Sequence, residues 1–198
     1  MTAPRYTLAT AAQLDQEIRK SRFTAHALSV PSEEAALEFL QRVADPAATH
    51  NCWAWRIGQR YRFNDDGEPG GTAGKPILQA IDGQGLDQVI VVVTRWFGGI
   101  KLGAGGLMRA YGGCAAECLR QAEKLELVQI QRIEFALEFA QLALLRARLR
   151  AFDAGIEAED FSGTGVTLRV ALPVQHLDAL RRVLADLSRG RAALRLLD

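Results

Sequence analysis

Little in this sequence of 198 residues singles out a chemistry at first sight, and each shortage narrows the reading. No aliphatic run is longer than residues 89–93, so nothing is expected to span a membrane. The first twenty residues lack an apolar core of signal length. Cysteine occurs three times, at Cys52, Cys114 and Cys118. An odd number of thiols without a leader points to reduced cysteines in a cytoplasmic setting, not to a disulfide scaffold. Charge of one sign is missing too: 24 basic residues face 23 acidic ones, a net +1, so binding to nucleic acid or to an anionic membrane would need a local patch. Lysine is scarce, with only Lys20, Lys75, Lys101 and Lys124 among the basic residues. The arginines that make up the rest suit bidentate pairing with phosphate or carboxylate, or reflect genomic composition.

What is there suffices for folding. Hydrophobic residues make up 48% and charged residues 24%, ordinary values for a globular chain that needs neither metal nor disulfide to hold it. The length suits one medium domain and one small one, placed at 1–124 and 125–198. In the first, alternation predicts two strands within 13–30, with a turn near Lys20 and Ser21. A helix is expected after Ser32, paired strands at 51–57 and 61–63, a buried strand at 88–95 and a closing helix over 106–124. The second domain reads strand, helix, strand, strand, helix, strand: apolar alternation at 133–139, helical spacing at 141–154, strands at 156–161 and 166–172, a helix from Pro173 and a last strand at 192–197. That order is the ferredoxin-like βαββαβ pattern, and the fold class is α+β.

Thirteen of the 18 glycines lie between Gly67 and Gly113, clustered at 67–74 and 98–106. Glycine weakens regular structure unless the backbone needs a positive φ or a close approach, so two shaped loops are expected. Residues 70–76 fail as a nucleotide phosphate loop, because Pro69 stands where a glycine is required and Pro76 where Ser or Thr would hold Mg²⁺. Residues 103–108 fail as a dinucleotide fingerprint at Met108. Glycine amides near a helix start, with Lys101 and Arg109 beside them, leave an anion nest as the surviving reading. Asp65, Asp66 and Glu68 form an acidic loop. It either ligates a cation or does acid–base work, or it is structural, its acids bonding backbone amides and pairing with Arg95 or Arg109. His50 and Cys52 face the same side of a strand, yet complete neither a zinc site nor a nucleophilic dyad. Cys114 and Cys118 read as core, and Trp53 and Trp55 as core anchors or a stacking surface. His26 and His176 stand alone.

Lys20–Ser21–Arg22–Phe23, His50–Asn51–Cys52, residues 65–69, residues 71–74 and above all the block 92–107, VVTRWFGGIKLGAGGL, resemble the signatures of the YigZ/IMPACT family. Trp96, Gly70 and Asn64 depart mildly from it, and none of them removes a charge. The resemblance implies a first domain with the fold of the second domain of a small-subunit ribosomal protein and of elongation factor G domain IV. It also implies a ferredoxin-like second domain, and a setting in translational control, where eukaryotic relatives act by binding proteins. The resulting expectation is a translation-associated regulatory binding protein that contacts RNA, the ribosome or a translation factor. The candidate contacts are Arg22, Lys75, Arg95, Lys101 and Arg109, together with Gly98, Gly99, Gly103, Gly105 and Gly106. The alternatives are a hydrolase-like enzyme acting on a phosphorylated or anionic ligand through Asp65, Asp66, Glu68 and His50, and a pure protein-interaction module. No cofactor and no metal is expected, and no sequence signal speaks to oligomeric state.

Overall fold

The structure, a computed structural model, describes residues 5–197. Its first 127 residues run β1 (Arg5–Leu8), β2 (Ala12–Ile18), β3 (Ser21–Ser29), α1 (Glu33–Val43), β4 (His50–Ile57), β5 (Arg60–Asn64), α2 (Gly74–Gly83), β6 (Val89–Trp96), α3 (Ala104–Gln121) and β7 (Lys124–Leu127). Five strands form an antiparallel sheet in the order β2-β3-β6-β4-β5, with the apolar β6 at its centre. Side chains alternate across a sheet, so the two faces carry different residues. Small Ala25, Ala27, Cys52 and Ala54 line one face, with Val91 and Val93, and α2 and α3 pack on it. Gly112 lets these helices come close, since even a Cβ there would lie 3.3 Å from Pro76 Cβ. On the other face Trp53, Trp55, Ile90 and Val92 pack under α1, large indoles filling what a single short helix leaves open. Both indoles are therefore core, as are the free thiols Cys52, Cys114 and Cys118.

Three elements of this unit depart from the sequence reading. β1 and β7 pair antiparallel as a separate two-stranded ribbon; they are four residues each, too short for a clear period. Helix α2 starts inside the glycine-rich segment that reads as loop, because its cap comes from elsewhere in the chain.

The second unit, residues 128–198, runs β8 (Ile130–Glu138), α4 (Phe139–Leu149), a 3-10 turn, β9 (Gly155–Phe161), β10 (Gly165–Pro173), a second 3-10 turn, α5 (Leu177–Ser188) and β11 (Arg195–Leu197). Its sheet order β11-β8-β10-β9 is antiparallel throughout, completing the βαββαβ pattern. Ile133, Phe135, Leu137, Val166, Leu168 and Val170 form a core with Leu145, Leu149, Leu180 and Leu184 of the helices. The opposite face is charged, with Glu134 bonded to both Arg169 and Arg195, and Arg132 to Glu157. These exposed pairs hold little energy and mark a solvated face.

Gly165 begins β10 where a Cβ would lie 2.2 Å from the Leu137 carbonyl oxygen. Gly165→Ala must push two paired strands apart and is expected to cost about 1–3 kcal/mol. Chemical denaturation of the whole chain, read by circular dichroism, measures that loss.

Candidate functional site

The two glycine-rich loops, the β2–β3 turn and the start of β4 meet at one end of the first sheet. The acidic loop there is wired inward. Asp65 accepts from the amides of Gly71 (2.8 Å), Ala73 (3.0 Å) and Gly74 (2.8 Å). Ala73, the N-cap of α2, has no side chain able to cap it, and Asp65 performs that service from eight residues upstream. Burial pushes the Asp65 carboxyl up, but the three amide bonds outweigh it and hold the group below its ordinary 3.8. Gly74 is required at this junction, since a Cβ would meet the Asn64 backbone at 2.8 Å. Asp66, at φ 43°, accepts from the Asn51 amide at 2.6 Å.

Glu68 is the buried member. Its Oε1 accepts from Arg95 Nη1 at 2.7 Å and from the Tyr111 hydroxyl at 2.6 Å. The Arg95 guanidinium lies between the rings of Phe23 (5.6 Å) and Phe97 (5.4 Å), and its Nε is sealed from solvent without a partner. His50 Nδ1–H donates to the Asp66 carbonyl at 2.7 Å, and its Nε2 lies 3.8 Å from Glu68 Oε1. Cys52 donates to the Asp65 carbonyl, and burial pushes its thiol up to about 12, out of the range of a nucleophile at neutral pH. Burial, reinforced by Cys52 and Glu68, likewise raises Tyr111. Among the described residues no group of three or more His, Cys, Asp and Glu is arranged to hold a metal ion.

The family profile of the Impact N-terminal domain matches residues 19–119, and that of a domain of unknown function (DUF1949) matches 135–191. The Escherichia coli protein called IMPACT family member YigZ is 40% identical over 88% of this chain and 89% of its own. The chain belongs to the IMPACT family. A Thermus thermophilus IMPACT family member is 48% identical over 88% of this chain and 97% of its own. A solved structure described as a hypothetical protein superposes with TM-score 0.69 at 36% identity, covering 100% of this chain and 99% of that one.

In this IMPACT-family chain the cations expected from sequence do not act together. Arg95, expected on a binding surface, is buried against Glu68, because its position on β6 turns it into the core. Arg109, expected as a partner of the acidic loop, and Lys101, expected beside it in an anion nest, are exposed and form no ion pair among the described residues. Arg22 is exposed with its guanidinium 3.8 Å from the Trp96 ring centroid, and Lys75 is exposed on the first turn of α2. Gly99 and Gly103 take positive φ, while Gly105 and Gly106 open α3, which has no side-chain cap. Gly98 sits against the β2–β3 turn so closely that a Cβ would fall 1.8 Å from the Lys20 carbonyl oxygen. The turn expected near Lys20 and Ser21 lies one residue earlier, at Arg19 and Lys20. Ile18 pairs with Ser21, so Arg19 (φ 48°) and Lys20 (φ 64°) form a two-residue loop with both residues left-handed. Asn-Gly is the usual choice there, and two exposed cations in that conformation are costly. The signal available was a two-residue gap between alternating strands holding neither Gly nor Asn.

Glu68→Gln leaves the Arg95 charge buried and unpaired, an expected loss of about 3–5 kcal/mol. Tyr111→Phe removes one bond to a charged acceptor, about 1.5–3 kcal/mol. Urea unfolding at neutral pH measures both. Asp65 has a folded pKa below its unfolded one, so its stabilisation is present above 3.8 and fades as pH falls through the lower folded value. Asp65→Asn should be less stable at pH 7 and show a shallower acid loss in a melting series from pH 7 to pH 2.

Proposed function

We propose that this chain is a regulatory binding protein of the translation apparatus, holding RNA phosphates on the surface formed by the β2–β3 turn, the 97–103 loop and the start of α3. One observation carries the reading: charge is sorted at this end of the sheet. The three carboxylates are occupied by amides, Arg95 and Tyr111, while Arg19, Lys20, Arg22, Lys101 and Arg109 lie exposed with no ion pair among the described residues. In the second unit Arg132, Arg146, Arg169, Arg181, Arg191 and Arg195 are paired, while the exposed Arg148, Arg150, Arg182 and Arg189 form no ion pair among the described residues. A net charge of +1 with five free cations in one place is the local patch that binding to a polyanion requires. The open start of α3 adds unpaired amides beside Arg109, whose Nη1 lies 3.5 Å from the Cβ position of Gly105. The translational setting comes from the family resemblance.

The committed carboxylates and the suppressed Cys52 thiol support binding over a hydrolase-like reaction at Asp65, Asp66, Glu68 and His50. The strained turn supports it further. Backbone strain kept at an exposed basic tip suggests that the side chains are held there for contact, not for stability.

Lys101→Ala with Arg109→Ala should weaken RNA association and flatten its salt dependence by about one counterion per lost phosphate contact. Fluorescence anisotropy with labelled RNA at several salt concentrations reads both. Unchanged affinity and slope in the folded variant would put the protein-interaction reading ahead. Arg19→Asn with Lys20→Gly should raise stability by about 1–2 kcal/mol while weakening RNA binding, because it relieves the two left-handed side-chain conformations and removes two cations.

A further inference from the structure

Beyond its charge, this surface offers flat groups that phosphates do not need. Arg22 and Trp96 are partners across β3 and β6, and the guanidinium of Arg22 lies on the indole at 3.8 Å with its outer plane exposed. The next residue, Phe97, is 47% exposed, and its ring flanks the Arg95 guanidinium of the α2/α3 face, so the two planar groups stand on either side of this end of the sheet. Neither group is loosely placed. The Phe97 amide donates to Thr49 Oγ1 at 2.9 Å and the Gly98 amide to Ser21 Oγ at 3.3 Å, which ties the strand end to β4 and β3. Lys20 lies across the Gly98 contact, and Lys101 is three residues further along the loop.

We infer that this surface takes a single-stranded RNA segment, with unpaired bases stacking on the outer plane of Arg22 and on the ring of Phe97, and phosphates held by Lys20 and Lys101. The inference rests on the RNA reading above and adds strandedness to it. Bases in a duplex keep their faces against one another, so exposed planar groups beside free cations gain contact only with a strand whose bases are splayed out. Planarity matters at Arg22, since a guanidinium stacks on a base and an ammonium does not.

The test compares a labelled single-stranded RNA of roughly 12 nucleotides, within the site size of such grooves, with the same sequence annealed as a duplex. The proteins are the full chain, Arg22→Lys, Phe97→Ala and the Lys101→Ala, Arg109→Ala variant. The single strand is expected to bind at least tenfold more tightly than the duplex at equal salt. Arg22→Lys keeps the charge at an exposed position, and Phe97→Ala removes no charge; each should lower single-strand affinity roughly tenfold with the salt slope unchanged. Trp96 is half-buried whereas Trp53 and Trp55 are core, so quenching of tryptophan emission by RNA should disappear in Trp96→Phe. Duplex bound as well as single strand, or full affinity in Arg22→Lys and Phe97→Ala, overturns the stacking inference while loss in the Lys101, Arg109 variant keeps the phosphate reading. No binding of either RNA overturns both.

Discussion

One carboxylate oxygen, Glu68 Oε1, joins the loop after β5 to the end of β6 through Arg95 and to the middle of α3 through Tyr111. A buried ion pair adds little net stability, because desolvating both partners consumes most of the attraction. Its consequence lies in the asymmetry: once formed, no member can leave without stranding a buried polar group. The acidic loop is therefore fixed in height and rotation against the sheet. From that fixed loop Asp65 caps α2, Asp66 receives the Asn51 amide, and the Asp66 carbonyl accepts from His50 Nδ1.

The same arrangement decides what the surface offers. With Asp65 and Glu68 bonded within the fold, the end of the sheet presents exposed cations that form no ion pair among the described residues. Glycine serves two separate purposes here. Gly74 and Gly98 allow backbones to touch, bringing α2 against Asn64 and the 97–103 loop against the β2–β3 turn, whereas Gly99 and Gly103 supply left-handed turns between β6 and α3. The β2–β3 turn uses no glycine where glycine would be easiest, and two exposed cations take the left-handed conformation instead.

Much of this was legible in the residues. Alternation and helical spacing determined most strands and most helices, and the βαββαβ order of the second unit followed from periodicity alone, because each element there buries one face against one core. The glycine clusters marked the loops, and the long block from Val92 carried the family. Local patterns suffice when the side chain's environment is set by its own element.

What only the tertiary structure decided depends on partners distant in sequence. Arg95, Lys101 and Arg109 look alike in a sequence, yet the Arg95 side chain turns from its strand into the core beside Glu68, while the other two lie exposed without ion pairs among the described residues. Helix α2 was invisible because Asp65, outside it, supplies the cap that its own residues lack. Arg19 and Lys20 became notable only through their backbone angles. The sequence by itself determined which chemical groups the chain carries and which elements hold most of them; the three-dimensional pairing of charges decided which groups are spent on the fold and which remain exposed, since ion pairing and burial act across space and not along the chain.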